Sequence, residues 1–312
     1  MPSKFLLSTA EKIRDMRIRG ASKIARAAAE AMMEEASLAK ADSPEEFAGI
    51  MRYAAGCLLQ TRPTAVSLPN AIEYIMAPLE KAFSQGSGVE ELRAIVRGRA
   101  KEFVENSVQA TKKIGVLGAE LLGVKSVVMT HCHSTAVVSI FAEARKQGKF
   151  ISAFVKETRP RYQGHITARQ LSELGVKVNL IVDSAALYYM DRVDAVLVGA
   201  DAIAMDGSVA NKIGTRLTAL AAAKMGKPVH VAAETYKIAL KAKTGSSIPI
   251  EMRSPLEVVP EEFVRENRGI EILNPSFDVT EPEMISDIVT EAGVLSPPFS
   301  ASIMEAVSRL GY

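Results

Sequence analysis

Two kinds of hydrophobic pattern divide the chain. In its first part, apolar residues recur at helical spacing among good helix formers such as Ala, Glu, Lys and Arg. From residue 125 onward, short apolar runs alternate with helical patterns. Such alternation is typical of a parallel sheet covered by helices on both faces. The predicted strands are residues 127–129, 150–155, 178–182, 195–199 and 229–232.

The helices predicted before the first strand cover residues 8–40 with a break at 17–23, then 44 to about 60, 71–84 and 88–123. Ser22 and Ser43 are predicted N-caps, because a serine hydroxyl can accept a free helical N–H. Prolines 63 and 69 predict a stiff segment that holds Arg62. Later helices are predicted over residues 134–147, 165–174, 184–191 and 212–225, and residues 277–280 as a polar turn. The pattern therefore predicts a helical N-terminal domain over residues 1–122, with its connecting helix, and an α/β domain over residues 123–312.

The amino-acid composition excludes several classes of binding partner and site. Lys and Arg number 38 against 36 Asp and Glu, so no strong field indicates a nucleic acid partner. The two cysteines, Cys57 and Cys132, form neither a disulfide framework nor a zinc spacing, which suits a reducing cytoplasm. No apolar run approaches the ~20 residues that span a bilayer, so no membrane association is expected.

One stretch, residues 126–134, joins a predicted strand to a predicted helix. Cys132 lies at this junction, and Ser134 is a predicted N-cap of the helix. Ligands of open α/β sheets bind at the carboxyl ends of strands, beside helix N-termini. A helix dipole there is expected to lower the pKa of the thiol. The alternative is that Cys132 is a small buried filler.

Polar residues follow each predicted strand: His131 to Ser134, then Glu157 to Pro160 with Gln163 and Gly164, then Asp183 and Ser184, then Asp201 with Asn211 to Thr215, and last Glu234 to Lys237. They include no GxGxxG, P-loop or metal-ligand spacing. His131 and His133, two residues apart, could share one face of a strand. Without a third ligand we expect them to shape the field around the thiol or to serve packing.

Several basic residues could bind an anion. Arg19 lies at the predicted helix break beside free N–H groups that could bind a phosphate, although in isolation a solvated charged turn is the better explanation. Residues 211–215 are predicted to open a helix, where Lys212 could hold a phosphate. Together with Arg62, Arg159 and Lys237 they predict a ligand with two anionic ends.

Ordered motifs carry a family resemblance over nearly the whole chain. The motifs are Arg19-Gly20-Ala21, Arg62-Pro63-Thr64-Ala65-Val66, Thr130-His131-Cys132, Glu157-Thr158-Arg159-Pro160, Gln163-Gly164, Gly199-Ala200-Asp201 and Asn211-Lys212-Ile213-Gly214-Thr215. The series resembles the superfamily of aldose-1-phosphate isomerases and the alpha, beta and delta subunits of translation initiation factor 2B. The resemblance implies a helical domain followed by a Rossmann-like domain with a mainly parallel sheet.

Three branches of the superfamily compete. The sequence most resembles the archaeal ribose 1,5-bisphosphate isomerases, which make ribulose 1,5-bisphosphate for Rubisco in nucleotide salvage. Residues 131–134 and 234–237 fit that branch, although the translation-factor subunits also resemble this chain at 234–237. Methylthioribose 1-phosphate isomerases usually read Cys-Asn after the histidine. The translation-factor subunits generally lack the cysteine and carry Glu in place of Asp201. Retention of Cys132 and Asp201 favours an enzyme, and Lys237 suits a second phosphate better than a thioether.

The resemblance also implies the roles of single residues. Cys132 is expected to be the base and Asp201 the neutral acid of an aldose–ketose isomerisation that needs no cofactor or metal. The expected substrate contacts are Arg19, Gly20, Ala21, Ser22, Arg62, Ser134, Arg159, Gln163, Asn211, Lys212 and Lys237. The partners implied are a sugar bisphosphate, AMP as an activator and further copies of the chain in a dimer or hexamer.

Overall fold

The structure is a computed structural model that describes residues 2–62 and 64–310. It has two compact units, of which the first ends at Gln109 and the second begins at Ala110. This division falls inside a long helix, and the domain boundary predicted after residue 122 stays a prediction.

The first unit is helical. Its helices are α1 (Lys4–Arg14), α2 (Ala21–Leu38), α3 (Pro44–Leu59), α4 (Ser67–Ser84) and the first part of α5 (Val89–Glu120). They bury a continuous apolar core, in which the side chains of Leu6, Ile13, Met32, Phe47 and Ile75 are inaccessible to solvent. The predicted helices and the break between the first two are confirmed.

Of the predicted N-caps Ser43 and Ser22, the first is confirmed and the second is wrong. Ser43 accepts a hydrogen bond from the Glu46 N–H at 3.2 Å, and Pro44 is the first residue of α3, as predicted. The prediction for Ser22 is wrong. The N-cap of α2 is Gly20, whose φ of 89° suits a glycine, and Ser22 is buried within the first turn. The stiff segment predicted beside Arg62 includes Pro63, which lies outside the described residues.

The second unit is an α/β fold. Its strands are β1 (Lys125–Thr130), β2 (Phe150–Lys156), β3 (Lys177–Ile181), β4 (Ala195–Gly199), β5 (Ala202–Ile203), β6 (Val209–Lys212), β7 (Val229–Ala232), β8 (Phe277–Thr280), β9 (Asp287–Thr290) and β10 (Gly293–Leu295). Its helices after α5 are α6 (Thr135–Lys146), α7 (Gln163–Glu173), α8 (Ala186–Tyr189), α9 (Thr215–Lys224), α10 (Glu261–Glu266) and α11 (Phe299–Leu310).

The main sheet has seven strands in the order β10-β9-β7-β4-β1-β2-β3. All neighbours pair in parallel except β10, which runs antiparallel to β9. All five predicted strands belong to it, which confirms the predicted Rossmann-like fold with a mainly parallel sheet. Successive residues pack on opposite faces: Val128 and Leu197 join one core, Met129 and Val196 the other. Both faces are therefore covered, as in doubly wound folds.

A second, three-stranded antiparallel sheet, β5-β6-β8, corrects two predictions. Residues 211 and 212 belong to strand β6 and do not open a helix, since α9 begins only at Thr215. Residues 277–280 form strand β8, paired with β6, and not a polar turn. The pairing of two segments more than sixty residues apart is a tertiary effect that the local composition does not reveal.

Gly164, in the first turn of α7, offers a test of this packing. A Cβ there would lie 1.8 Å from the carbonyl oxygen of Lys156, a backbone atom that cannot move aside. We expect Gly164→Ala to lower the free energy of unfolding by about 3 kcal/mol or more, as severe overpacking does. Urea unfolding measures this change.

Gly98→Ala is the matched control. Gly98 lies in α5, where an added Cβ meets no atom within 4 Å. We expect it to leave stability unchanged or raise it by up to about 1 kcal/mol, because alanine is the better helix former. Equal stability of the two variants would contradict the packing described here.

Candidate active site

Cys132 and Asp201 follow two neighbouring strands at the centre of the main sheet. Cys132 comes two residues after β1, and Asp201 two residues after β4. From β1 the chain winds outward through β2 and β3, whereas from β4 it winds the other way through β7 and β9. The crevice between β1 and β4 is thus the topological switch point, where open α/β sheets bind ligands.

The backbone at Cys132 is strained and held. Its φ is 67°, a left-handed conformation that is unfavourable for a residue with a Cβ. The Cys132 N–H donates to the Thr158 hydroxyl at 2.9 Å, and the Cys132 carbonyl accepts from the Thr167 hydroxyl at 2.8 Å. Such strain persists only where neighbours enforce it and is concentrated at functional sites.

Close packing joins the two strand ends. Ser134 accepts from the Val137 N–H at 3.4 Å and so caps α6, as predicted. A Cβ on Gly199, the last residue of β4, would lie 2.7 Å from both Cβ and Oγ of Ser134. Glycine at this position therefore allows the cap beside Cys132 to approach the strand that leads to Asp201.

A hairpin returns the chain from Asp201 to Lys212. The Asp201 N–H donates to the Ala210 carbonyl at 2.9 Å, next to the β5–β6 pairs. Lys212 is 5% exposed and donates to the Ser276 carbonyl at 2.9 Å. Its Nζ lies 5.0 Å from the ring centroid of Phe277, the residue that it faces on β8. The hairpin thus places an ammonium beside the switch point.

Burial controls the protonation of the thiol. It raises the pKa of Cys132 to about 11; the charge of Asp201 adds to this rise, and the charge of Lys212 opposes it. The expected lowering of the thiol pKa by the helix dipole is therefore wrong, because desolvation of the thiolate outweighs it. Burial also lowers the pKa of Lys212, against the opposing effect of Cys132 and Asp201. These mutual effects identify Cys132, Asp201 and Lys212 as one electrostatic cluster.

The first turn of α9 does not offer the free N–H groups that were expected for a phosphate. Asp278 accepts from the Gly214 N–H at 2.6 Å and from the Arg216 N–H at 3.1 Å. A carboxylate from β8 therefore caps this helix. Asn211, on β6, directs its side-chain amide to the Thr215 hydroxyl at 3.0 Å.

His131 and His133 have separate partners. The His131 ring is buried and donates through Nε2 to the Ile213 carbonyl at 2.8 Å, whereas His133 Nδ1 lies 3.1 Å from the Thr167 hydroxyl. Since β1 ends at Thr130, neither lies on a strand, and the idea that they share a strand face is wrong. Burial and the charge of Lys156 hold the pKa of His131 well below its usual value.

Lys156, which the motif search missed, ends β2 and is fully buried. Its ammonium donates to the Gly214 carbonyl at 3.0 Å and to the Thr218 hydroxyl at 2.8 Å, so it holds the turn that follows Lys212. Burial lowers its pKa to about 8. The signal that could have found it is a lysine closing an otherwise apolar strand.

Arg159 and Gln163 lie beyond β2. Arg159 donates to the Tyr162 hydroxyl at 2.6 Å and to the Val258 carbonyl at 3.0 Å. Gln163 begins α7, and its buried Oε1 has no hydrogen-bond partner among the described residues. Arg159 thus ties the end of β2 to the segment after Glu251, whose role the sequence left open.

Lys237 forms a buried ion pair with Glu234 at 2.8 Å, just after β7. Its charge is therefore already matched by a carboxylate. This pairing weakens the expectation that the Lys237 ammonium alone selects a second phosphate.

The remaining predicted contacts belong to the first unit. Arg62 is 8% exposed, and its guanidinium lies 3.1 Å from the sulfur of Met16, within the same break between α1 and α2 that holds Arg19. Ser67 donates to the Ala21 carbonyl at 3.0 Å. The break between α1 and α2 and the start of α4 therefore form one local surface.

Among the described residues, no three or more His, Cys, Asp or Glu side chains form a cluster that could hold a metal ion. Within the same residues, no helix combines the length and the apolar composition that a membrane crossing requires.

Comparison with known proteins identifies the family of this chain. Residues 17–297 match the model of the Initiation factor 2 subunit family. The chain belongs to this family. The resemblance predicted from the ordered motifs is thereby confirmed.

Both enzymes and a protein named translation initiation factor eIF-2B are similar to this chain. The ribose 1,5-bisphosphate isomerase of Thermococcus kodakarensis is 47% identical over 96% of this chain and 92% of its own. The methylthioribose-1-phosphate isomerase of Desulforudis audaxviator is 37% identical over 96% and 88%. Among solved structures, the 5-methylthioribose 1-phosphate isomerase of Pyrococcus horikoshii OT3 superposes with a TM-score of 0.82 at 33% identity, covering 97% of this chain and 88% of that one.

The raised thiol pKa makes a direct prediction. Iodoacetamide reacts with thiolate, so its rate at Cys132 should climb about tenfold per unit between about pH 7 and 10, with no plateau below about pH 11. Lys212→Gln removes a charge that lowers the thiol pKa and should slow the reaction about tenfold. Peptide mass spectrometry separates Cys132 from Cys57. A plateau near neutral pH would contradict the burial of the thiol.

Proposed function

We propose that this protein is an aldose–ketose isomerase that converts ribose 1,5-bisphosphate into ribulose 1,5-bisphosphate. The observation that carries the proposal is the placement of Cys132 and Asp201 on either side of the switch point, coupled electrostatically to Lys212. The identity to the Thermococcus relative, 47% against 37% for the methylthioribose enzyme, supports the choice of substrate.

The first step opens the sugar ring. A sugar with a phosphate on its C1 oxygen cannot open to a free aldehyde, so the bond between C1 and the ring oxygen must break while the phosphate stays. In the proposal, the Asp201 carboxyl protonates the ring oxygen as that bond breaks and becomes a carboxylate. Electron deficiency at C1 then acidifies the hydrogen on C2.

Cys132 is the proposed base. Its thiolate takes the C2 proton, and the electron pair of that C–H bond forms the double bond between C1 and C2 of an enol phosphate. The thiol then returns this proton to C1, while the 2-hydroxyl gives its proton to Asp201. The ketone forms at C2, and both residues regain their starting protonation, so the cycle is balanced without a cofactor.

The raised thiol pKa fits this role. At neutral pH, forming the thiolate against a pKa of about 11 costs roughly 5 kcal/mol. A base formed at that cost is a strong one, because basicity follows pKa. A proton passed from the thiol to the Asp201 carboxylate creates both reactive forms at once, and the nearby charge of Lys212 stabilises the thiolate.

The substrate contacts remain those that the resemblance implied. In the second unit, Lys212 has the support of its electrostatic effect on Cys132, and Asn211 precedes it on the same strand. In the first unit, Arg62 contacts Met16, which lies in the same break between α1 and α2 as Arg19. The proposal extends to the setting that the resemblance implies, namely nucleotide salvage by a cytoplasmic homo-oligomer with AMP as activator.

Turnover by variants tests the mechanism. Cys132→Ser and Asp201→Asn should each lower kcat on ribose 1,5-bisphosphate by about 100-fold or more, since each removes one acid–base group. Coupled detection of ribulose 1,5-bisphosphate measures the rate. Cys57→Ser is the matched control and should retain full turnover. Retention of most of the activity by either site variant would defeat the mechanism.

The wild-type protein also separates the two isomerase branches. We expect kcat/KM for ribose 1,5-bisphosphate to exceed that for methylthioribose 1-phosphate, which carries a thioether in place of the second phosphate. The reverse order would assign the chain to the other branch. If the wild-type protein turned over neither sugar, the alternative of a regulatory translation-factor subunit would be favoured.

A further inference from the structure

Arg253 lies in the segment after Glu251, which none of the sequence motifs reached. The Arg253 N–H donates to the Asn274 carbonyl at 2.9 Å, and Arg161 pairs with Glu257 at 2.8 Å. The first contact lies within the segment itself, whereas the Arg161–Glu257 pair and the bond from Arg159 to the Val258 carbonyl hold the segment against the loop that follows β2. Arg253 is thus fixed near the carboxyl ends of the central strands.

The side chain of Arg253 is buried but incompletely satisfied. Only 9% of it is exposed, and its terminal nitrogen lies 3.3 Å from Glu251 Oε2. Its Nε is buried, and among the described residues no acceptor bonds to it. A buried guanidinium N–H without an acceptor is costly, and an acceptor from outside the chain would remove that cost.

Two cations share one aromatic ring. The guanidinium carbon of Arg253 lies 5.7 Å from the ring centroid of Phe277, and Lys212 Nζ lies 5.0 Å from the same centroid. The charge of Arg253 lowers the pKa of Lys212 and also that of Cys132. Two neighbouring buried cations repel each other, and an anion between them relieves the repulsion.

A hydroxyl completes the cluster. Ser276 is 2% exposed, and its Oγ has no hydrogen-bond partner among the described residues. The carbonyl of the same residue accepts from Lys212. Arg253 and Lys212, which lie over the same ring, and Ser276, whose carbonyl binds Lys212, together offer donors that match the oxygens of a phosphate monoester.

We propose that Arg253 binds a phosphate group of the substrate together with Lys212 and the hydroxyl of Ser276. The proposal rests on the proposed isomerase function and adds a residue to that same site. It gives the segment after Glu251 a role: it carries the guanidinium that orients a phosphate beside the reacting carbons.

Protection of Cys132 by inorganic phosphate tests this binding without turnover. We expect phosphate to slow iodoacetamide labelling of Cys132 in the wild-type protein and to lose this effect in Arg253→Gln. Arg253→Lys, which keeps the charge but loses the planar pair of donors, should retain part of the protection. Ser276→Ala should weaken it less than Arg253→Gln does.

Arg192→Gln is the matched control. Arg192 also lies over an aromatic ring, that of Tyr189 at 5.5 Å, but it precedes β4 and so lies at the opposite edge of the sheet. We expect it to keep the full phosphate protection. Circular dichroism of all variants checks that they fold.

Kinetics provide the second measurement. Arg253→Gln should raise KM for ribose 1,5-bisphosphate about 10- to 100-fold, as loss of a charged hydrogen bond does, while Arg192→Gln leaves it unchanged. Phosphate protection that is absent in the wild type, or equal in Arg253→Gln, would overturn the assignment of Arg253. A wild-type protein that shows Arg253-dependent protection but no turnover would refute the isomerase and leave the phosphate site standing.

Discussion

The site depends on one constraint, the burial of the Lys212 ammonium beside a thiol and a carboxylate. Removing these groups from water strengthens every charge interaction among them, so Lys212 can oppose the desolvation that raises the pKa of Cys132. The surrounding elements serve this arrangement. The β5–β6 hairpin returns Lys212 toward Asp201, and Phe277 and Ser276 hold its side chain.

Much of the fold could be predicted because its central strands are largely buried. Strands β1, β2, β4 and β7 are mostly apolar, which local sequence reveals directly, whereas the edge strand β3 is mostly exposed and only Ile181 in it is buried. Strands β6 and β8 were not predicted, because Asn211 and Lys212 resemble the start of a helix and residues 277–280 resemble a polar turn. Their β conformation comes from pairing with each other across a long stretch of chain, which no local window contains.

The same difference between local and tertiary signals decides which residues of the candidate site could be predicted from the sequence. Cys132, Asp201 and Lys212 were found because chemistry-bearing residues follow strands, and the carboxyl ends of parallel strands meet. Lys156 and Arg253 were missed because a lysine or arginine without a motif has no local signature. The protonation of Cys132 was misjudged for a related reason: the helix terminus is visible in the sequence, whereas the depth of burial is a property of the folded unit.

The antiparallel pairing of β6 with β8 also determines when, during synthesis of the chain, the candidate site can fold. A nascent chain that has emerged through β7 contains Cys132, Asp201 and Lys212, but the strand that carries Phe277 and Asp278 has yet to be synthesised. Closing so long a loop is slow compared with forming local helices. The candidate site is therefore among the last parts to mature, and a ribosome-bound fragment would carry Cys132, Asp201 and Lys212 without the surroundings that set their protonation.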